Sequence, residues 1–192
     1  MTKIIANCIP LLYALQRLDE AAFHKAFRSD RARAPFRKIS SSADGHLYLI
    51  CALFCWIWIR EPGSHFLSLL CISFMVERPI YMILKNGLKR NRPAQIIPGF
   101  SSIIVPSDHF SFPSGHTSGA FIFATALSLS LADTNFISGF NAESLMIFTV
   151  YCWAVMVGLS RVMLGVHFPG DTLAGATLGF SITVSVHYVV LL

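Results

Sequence analysis

The stretch Ser64–Leu84, SHFLSLLCISFMVERPIYMIL, is long enough to cross a bilayer, and Lys85, Lys89, Arg90 and Arg92 follow it. A spanning helix takes about 20 mostly apolar residues, and cations just past its end mark the point where the chain leaves hydrocarbon. Further apolar stretches lie at Leu47–Ile59, His116–Leu131, Leu145–Leu159 and Leu173–Leu192. Several fall below the usual lower limit of about 17 residues unless flanks such as Gly45–His46 and Ser160–Met163 are counted in. Across the 192 residues, 54% are hydrophobic and 13% charged, with a mean hydropathy of +0.60, which excludes an ordinary water-soluble domain. The reading is an all-α integral membrane bundle of about five spanning helices. A sixth would have to come from the N-terminal segment, which is short for that purpose.

That segment, residues 1–43, places Leu11, Leu15, Leu18 and Ala22 at helical spacing with Arg17, Asp19, Glu20 and Lys25 on other faces. The pattern predicts an amphipathic helix lying in the membrane interface, ahead of a transmembrane domain over 44–192. A signal peptide is a poor match, because Pro10 breaks the apolar run and no small-x-small cleavage site follows. The five cysteines, Cys8, Cys51, Cys55, Cys71 and Cys152, sit mostly within apolar segments and suggest neither a disulfide framework nor a metal site.

If the helices alternate in direction, the connections 85–112 and 160–170 emerge on one side of the membrane. These connections carry the polar motifs: K-x6-R-P (Lys85, Arg92, Pro93), P-S-G-H (Pro113, Ser114, Gly115, His116) and S-R-x5-H-x3-D (Ser160, Arg161, His167, Asp171). Lys85, Arg92 and Arg161 suit the oxygens of a phosphate group, a planar guanidinium fork and a compact ammonium being complementary ways to neutralise it. Pro113 suits the first turn of a helix, so the N–H groups of Ser114 and Gly115 are expected to face an anion at the positive helix end. Lys89 and Arg90 read as an ordinary basic cap, His65 and His187 as hydrogen-bonded residues inside helices, and Asp44, Asp108 and His109 as turn residues. Arg78, seven residues before Lys85, shares its helical face and either points toward the site or pairs with another helix. Gly175 and Gly179 suggest close helix packing.

Each motif is weak by itself, but the set in this order and spacing resembles the type 2 phosphatidic acid phosphatase (PAP2) family, related to vanadium haloperoxidases and glucose-6-phosphatases. Every motif position matches, Ser160 included; the motifs cover Lys85 to Asp171, and the helix pattern extends the resemblance over 44–192. The resemblance implies a membrane lipid phosphatase in which His167 attacks phosphorus to form a phosphohistidine, Asp171 orients His167, and His116 serves as general acid and then base. Lys85, Arg92, Ser114, Gly115 and Arg161 would hold the phosphate, with no metal and no cofactor. Implied substrates are phosphatidic acid, phosphatidylglycerophosphate or undecaprenyl diphosphate, presented by the lipid bilayer. The alternatives are a lipid phosphotransferase using the same site and a non-catalytic lipid-phosphate binding protein.

Other chemistries fit less well. His167 with Asp171 lacks the further ligands of a zinc or iron site, and Ser114 lacks the G-x-S-x-G elbow of serine hydrolases. The basic run at 89–92 has no aromatic platform for nucleic acid. The loop 94–112 carries Ile96, Ile97, Phe100, Ile103, Ile104, Phe110 and Phe112, which suggests that it dips into the headgroup region and lines a lipid entry. Of the fifteen lysines and arginines, Arg60 lies on the far side and Arg78 within a helix, so the positive-inside rule favours a cytoplasmic site. The expected location is the bacterial inner membrane.

Overall fold

The computed structural model describes residues 16–27, 33–59, 61–106, 108–134 and 140–191. Among the described residues every regular element is helical. They are α1 (16–26), α2 (Arg33–Ser41), α3 (Gly45–Ile59), α4 (Glu61–Leu88), the single turn α5 (Pro93–Ile96), α6 (Gly115–Thr134), α7 (Phe140–Met163) and α8 (Pro169–Val186), which runs into a π-helical turn at His187–Leu191. Large apolar side chains face outward: Trp58, Met75 and Ile83 are each more than 70% exposed. Apolar surface of that extent is suited to lipid rather than water.

By length and hydropathy, three helical stretches can cross a membrane: Gly63–Ile96, Ala142–Met163 and Pro169–Val189. A fourth is obtained if Pro35–Ser41 and Gly45–Ile59, bent by 57°, count as one span. This is fewer than the five expected: α3 is only 15 residues long, and α6, which packs against α4, α7 and α8 at once, interleaves small and hydroxyl residues with its Phe, Ile and Leu side chains. Ala120, Ala124 and Ala126 are fully buried, and Ser128 and Ser130 return their hydroxyls to the carbonyls of Ala124 and Ala126 at 2.7 and 2.8 Å. Without water, each such hydroxyl needs a partner inside the bundle.

Close approach of α8 to α6 depends on Gly175 and Gly179. A Cβ at Gly175 would collide with the Ser114 carbonyl, and one at Gly179 with the Ser118 carbonyl. A polar link joins α4 to the same helix: the fully buried Glu77 accepts hydrogen bonds from Ser118 Oγ at 2.6 Å and Arg78 Nε at 2.5 Å. Trp153 Nε1 donates to Ser42 Oγ at 2.9 Å, tying α7 to the α2–α3 corner.

The N-terminal helix docks on the bundle through a face other than its Leu18 stripe. Leu11 and Leu15 lie outside the described residues, and Leu18 and Ala22 are exposed, whereas Asp19, Phe23 and Phe27 form the docking face. Phe23, 1% exposed, meets Phe27, Phe100 and Phe168 with ring centroids 5.4–5.5 Å apart. Ile96 and Ile97 pack into the same cluster. Most of the apolar residues at the start of the 94–112 loop therefore bury against protein rather than line a lipid entry; Val105, 94% exposed, is the exception.

Gly179→Ala should lower the thermal midpoint of the detergent-solubilised protein by several degrees, the overlap with backbone costing about 1–3 kcal/mol. Gly87→Ala, where an added Cβ meets nothing within 4 Å, serves as the control and should not lower it. Equal midpoints for both variants would show that the α6–α8 contact is looser than described.

Candidate active site

Lys85 and Arg92 are seven residues apart, but they do not meet along one continuous helix. α4 ends at Leu88, and Lys89 turns the chain with φ of 46°, the left-handed conformation common just past a helix end. Arg92 then precedes Pro93, the first residue of α5, and its N–H is accepted by Gln95 Oε1 at 2.8 Å. From that corner its guanidinium reaches two other segments. Nε and Nη2 donate to the Asp108 carbonyl, the Asp108 carboxylate and the Phe110 carbonyl, while Nη1 donates to the Val166 carbonyl at 2.5 Å. Lys85 Nζ donates to the Tyr81 hydroxyl and to Asp108 Oδ2, the latter at 2.6 Å. Burial by itself would raise the Asp108 pKa, but the hydrogen bond and charge of Lys85, with Arg92 beside it, hold the carboxyl below the usual carboxylate range.

Asp171 lies in the first turn of α8, where its Oδ2 accepts the Phe168 N–H at 2.8 Å and the Ser111 hydroxyl. Its Oδ1 accepts from Arg90 Nη1 at 2.7 Å, and Arg90 Nη2 donates to Asp19 Oδ2 at 2.6 Å. The Gly170 N–H also donates to Asp19. Three separate segments thus fix one carboxylate, with the imidazole of His167 directly before it.

His167 Nδ1 stands 3.7 Å from Asp171 Oδ2, within ion-pair range but beyond a hydrogen bond. Its Nε2 lies 3.4 Å from Arg92 Nη1. A guanidinium can only donate, so Nε2 carries the lone pair and the proton resides on Nδ1, facing Asp171. Burial pushes the imidazole pKa down to about 4; Asp171 opposes that shift, and Arg92 and Arg161 reinforce it. At neutral pH the side chain is uncharged.

A cavity of about 300 Å³ opens beside His167 and is lined by Asp44, Arg92, Asp108, His116 and Arg161, with Gly115 at its wall. Arg161 donates from Nη1 to Ser40 Oγ at 2.6 Å, while its buried Nε has no hydrogen-bond partner among the described residues. His116 Nε2 lies 3.4 Å from Asp44 Oδ1, so each histidine has a carboxylate from another position in the chain beside it.

The structure brings the expected residues together with some differences. Lys85 stands behind the cavity wall, reaching it through Tyr81 and Asp108. Ser114 is fully buried and its N–H, expected to face the anion, donates to the Asp171 carbonyl at 3.0 Å, while its hydroxyl pairs with Thr117 Oγ1 at 2.9 Å. The reason is the close α6–α8 contact, which seats the start of α6 on the start of α8. Arg90 is no surface cap: it pairs with Asp19 and Asp171 and lies over the Phe168 ring, 4.7 Å from the centroid. Asp19, Asp44 and Asp108 approach the site from distant or loop positions where no motif spacing signals them.

The PAP2 superfamily matches residues 62–191. Phosphatidylglycerophosphatase B of Bacillus subtilis is 35% identical over 112 residues, 58% of this chain and 51% of that protein. Lipid A 1-phosphatase of Rhizobium etli is 35% identical over 140 residues, 69% of this chain and 53% of that one. The chain thus spans about half the length of these curated relatives. In three dimensions, a transmembrane PAP2-type phosphatidylglycerolphosphate phosphatase from Bacillus subtilis is similar with a TM-score of 0.74 at 28% identity, covering 91% of this chain and 85% of its own. Aquifex aeolicus LpxE, 24% identical, shares the fold with a TM-score of 0.69 over 87% of this chain and 93% of that one. With the family match extending from the start of α4 to the end of the described chain, and lipid-facing helices around it, this integral membrane protein belongs to the PAP2 superfamily.

Proposed function

We propose that this protein is a lipid phosphatase that hydrolyses a phosphomonoester, or the terminal phosphate of a lipid diphosphate, through a phosphohistidine. The observation that carries the reading is the placement of His167, its Nε2 beside Arg92 and its Nδ1 toward Asp171, at a cavity lined by three arginines, Arg78, Arg92 and Arg161. His167 Nε2 attacks phosphorus and the P–O bond to the lipid breaks. His116, protonated beside Asp44 and the negative charge of the bound phosphate, gives that proton to the departing oxygen, then takes one from water, which attacks phosphorus and breaks the P–N bond to release inorganic phosphate. Arg92 and Arg161, with the Gly115 N–H, take up the charge developing on the phosphoryl oxygens, and Lys85 adds a positive field from behind Asp108. Asp108 already places a carboxylate among these cations and yields its donors to the incoming phosphate.

The lipid nature of the substrate is supported by a second, apolar cavity of about 640 Å³, lined by Leu47, Tyr48, Phe123, Leu127, Leu145 and Trp153. It shares Tyr48 with the catalytic cavity, so a chain lying there has its headgroup near His116. The reading includes α3 and α6 among five spanning helices, with the site and its surplus of cations on the cytoplasmic face. Phosphatidate, phosphatidylglycerophosphate and polyprenyl diphosphates are the substrate classes.

Purified protein should release inorganic phosphate from at least one of these lipids with chelator present, and His167→Ala should release none and form no labelled phosphoprotein. Label transfer to a second lipid instead of water would make it a phosphotransferase, and binding without turnover would make it a binder. Arg161→Ala should lower kcat on the order of 10²–10³-fold.

Arg90→Ala and Asp19→Asn should each lower kcat roughly 10–100-fold with a smaller change in KM, the worth of a lost charged hydrogen bond to the Asp171 network. Arg90→Lys should recover part of it; a change in KM alone would assign the pair to substrate binding.

Because His167 has its pKa near 4, it stays deprotonated through pH 5 and loses its lone pair only below that. After correction for the ionisation of the phosphate ester near pH 6, kcat/KM should fall on the acid side near pH 4. A residual acid limb at the ordinary histidine value would contradict the neutral, buried nucleophile.

A further inference from the structure

One arginine at the catalytic cavity has no part in the chemistry above. Arg78 lies inside α4, within a stretch that spans the membrane, and lines the same cavity as His116, Arg161 and His167. An arginine at such depth is costly unless it is paired or faces a polar cavity. Its Nε donates to Glu77, whose carboxylate is fully buried and also accepts from Ser118. If the arginine served only to neutralise Glu77, burial of the pair would suffice. Instead the Arg78 side chain is 45% exposed, and its Nη groups make no hydrogen bond or ion pair among the described residues.

The guanidinium is also held in orientation. Its carbon lies 4.4 Å from the centroid of the Tyr81 ring and 5.9 Å from that of Phe74. Stacking on an aromatic face occupies the faces of the guanidinium and leaves the in-plane N–H donors free. Lys85 Nζ lies over the same Tyr81 ring, 4.6 Å from its centroid, so the two cations can be no further apart than the sum of those two distances. Arg78 and Lys85, sharing the Tyr81 ring, therefore make a cationic row along one face of α4, running from the phosphoryl-binding residues toward the membrane interior. The leaving group of a lipid substrate must lie in that direction, because its hydrocarbon is there.

We propose that Arg78 binds a second phosphate on the leaving-group side, so that the preferred substrates are lipids carrying two phosphate groups. This inference rests on the phosphatase reading for the position of the first phosphate. Two sources share the chemistry: a diphosphate, with the groups directly joined, and a lipid with a phosphodiester separated from its terminal phosphate by glycerol. Phosphatidate has one phosphate and cannot engage both positions.

The test compares substrates in pairs with identical tails, prenyl diphosphate against prenyl monophosphate and phosphatidylglycerophosphate against phosphatidate, on wild-type protein, Arg78→Gln and Arg78→Lys in the same detergent. The ratio of kcat/KM within a pair should fall roughly 10–100-fold in Arg78→Gln, the worth of a charged hydrogen bond, and recover in part in Arg78→Lys. A fall confined to the prenyl pair assigns the directly joined diphosphate, and one confined to the glycerol pair assigns the phosphodiester. Loss by the same factor on both members of both pairs, or no loss, overturns the proposal. Since Arg78→Gln leaves Glu77 without its counter-charge, the Glu77→Gln/Arg78→Gln double variant is measured beside it and should show the same fall in ratio. Equilibrium binding of a prenyl methylenediphosphonate and a prenyl phosphonate, neither of which is hydrolysed, separates this inference from the catalytic one. Tighter binding of the diphosphonate that Arg78→Gln abolishes sustains the second-phosphate site even if no lipid is turned over. Equal wild-type affinity for the two overturns it even if phosphate release is fast.

Discussion

Positive charge brought to the edge of a low-dielectric bundle must be balanced, and the balance of four cations organises this protein. Arg78 is matched by Glu77, Lys85 and Arg92 by Asp108, and Arg90 by Asp19 together with Asp171. Each carboxylate comes from a different place, so neutralising the cations also draws α1, the 97–112 loop and the start of α8 around the end of α4. Breaking a buried pair by removing one partner costs about 3–5 kcal/mol, far more than the pair contributes relative to an apolar replacement. The arrangement is therefore better understood as specifying a geometry than as supplying stability. Arg161 differs from the others. Its hydrogen bond goes to the neutral Ser40, it makes no ion pair among the described residues, and its buried Nε is unpartnered. In the proposed reaction a phosphoryl group is the partner that would satisfy it.

Helix packing sets the second dimension of the site. The two glycines of α8 let its backbone lie against the Ser114 and Ser118 carbonyls, and that contact carries the P-S-G-H corner onto the H-x3-D corner. The Ser114 N–H to Asp171 carbonyl bond is a direct product. The same closeness withdraws Ser114 from the cavity and leaves Gly115 and His116 at its wall. The lack of a side chain at two positions on α8 thus lets these corners meet, although neither glycine lines the cavity.

Residues whose role depends on local pattern were legible before the fold was known. Lys85, Arg92, His116, Arg161, His167 and Asp171 stand in short motifs whose residue types suit phosphate chemistry, and the structure gathers all of them at one end of the bundle. Residues whose role depends on distant partners were not. Asp19 lies 71 positions from Arg90 and 151 from Gly170, and Asp108 meets Lys85 and Arg92 only after the loop folds back. The α1 docking face, Asp19, Phe23 and Phe27, was hidden behind the more conspicuous Leu18 stripe, which remains exposed.

Sequence by itself determined the membrane class and the helical content, because the cost of burying backbone and charge in hydrocarbon is read from composition and run length. It also picked out motif residues whose types suit phosphate chemistry, because charge and hydrogen-bonding capacity are properties of the side chain, while the roles given to them came from the family resemblance. Only the tertiary structure decided that α6 is the sheltered central helix, that Arg90 belongs to the Asp171 network, and that Arg78 lines the catalytic cavity instead of facing another helix. Those facts are set by the rotation of each helix about its own axis and by contacts across many residues of chain, and hydropathy carries no record of either.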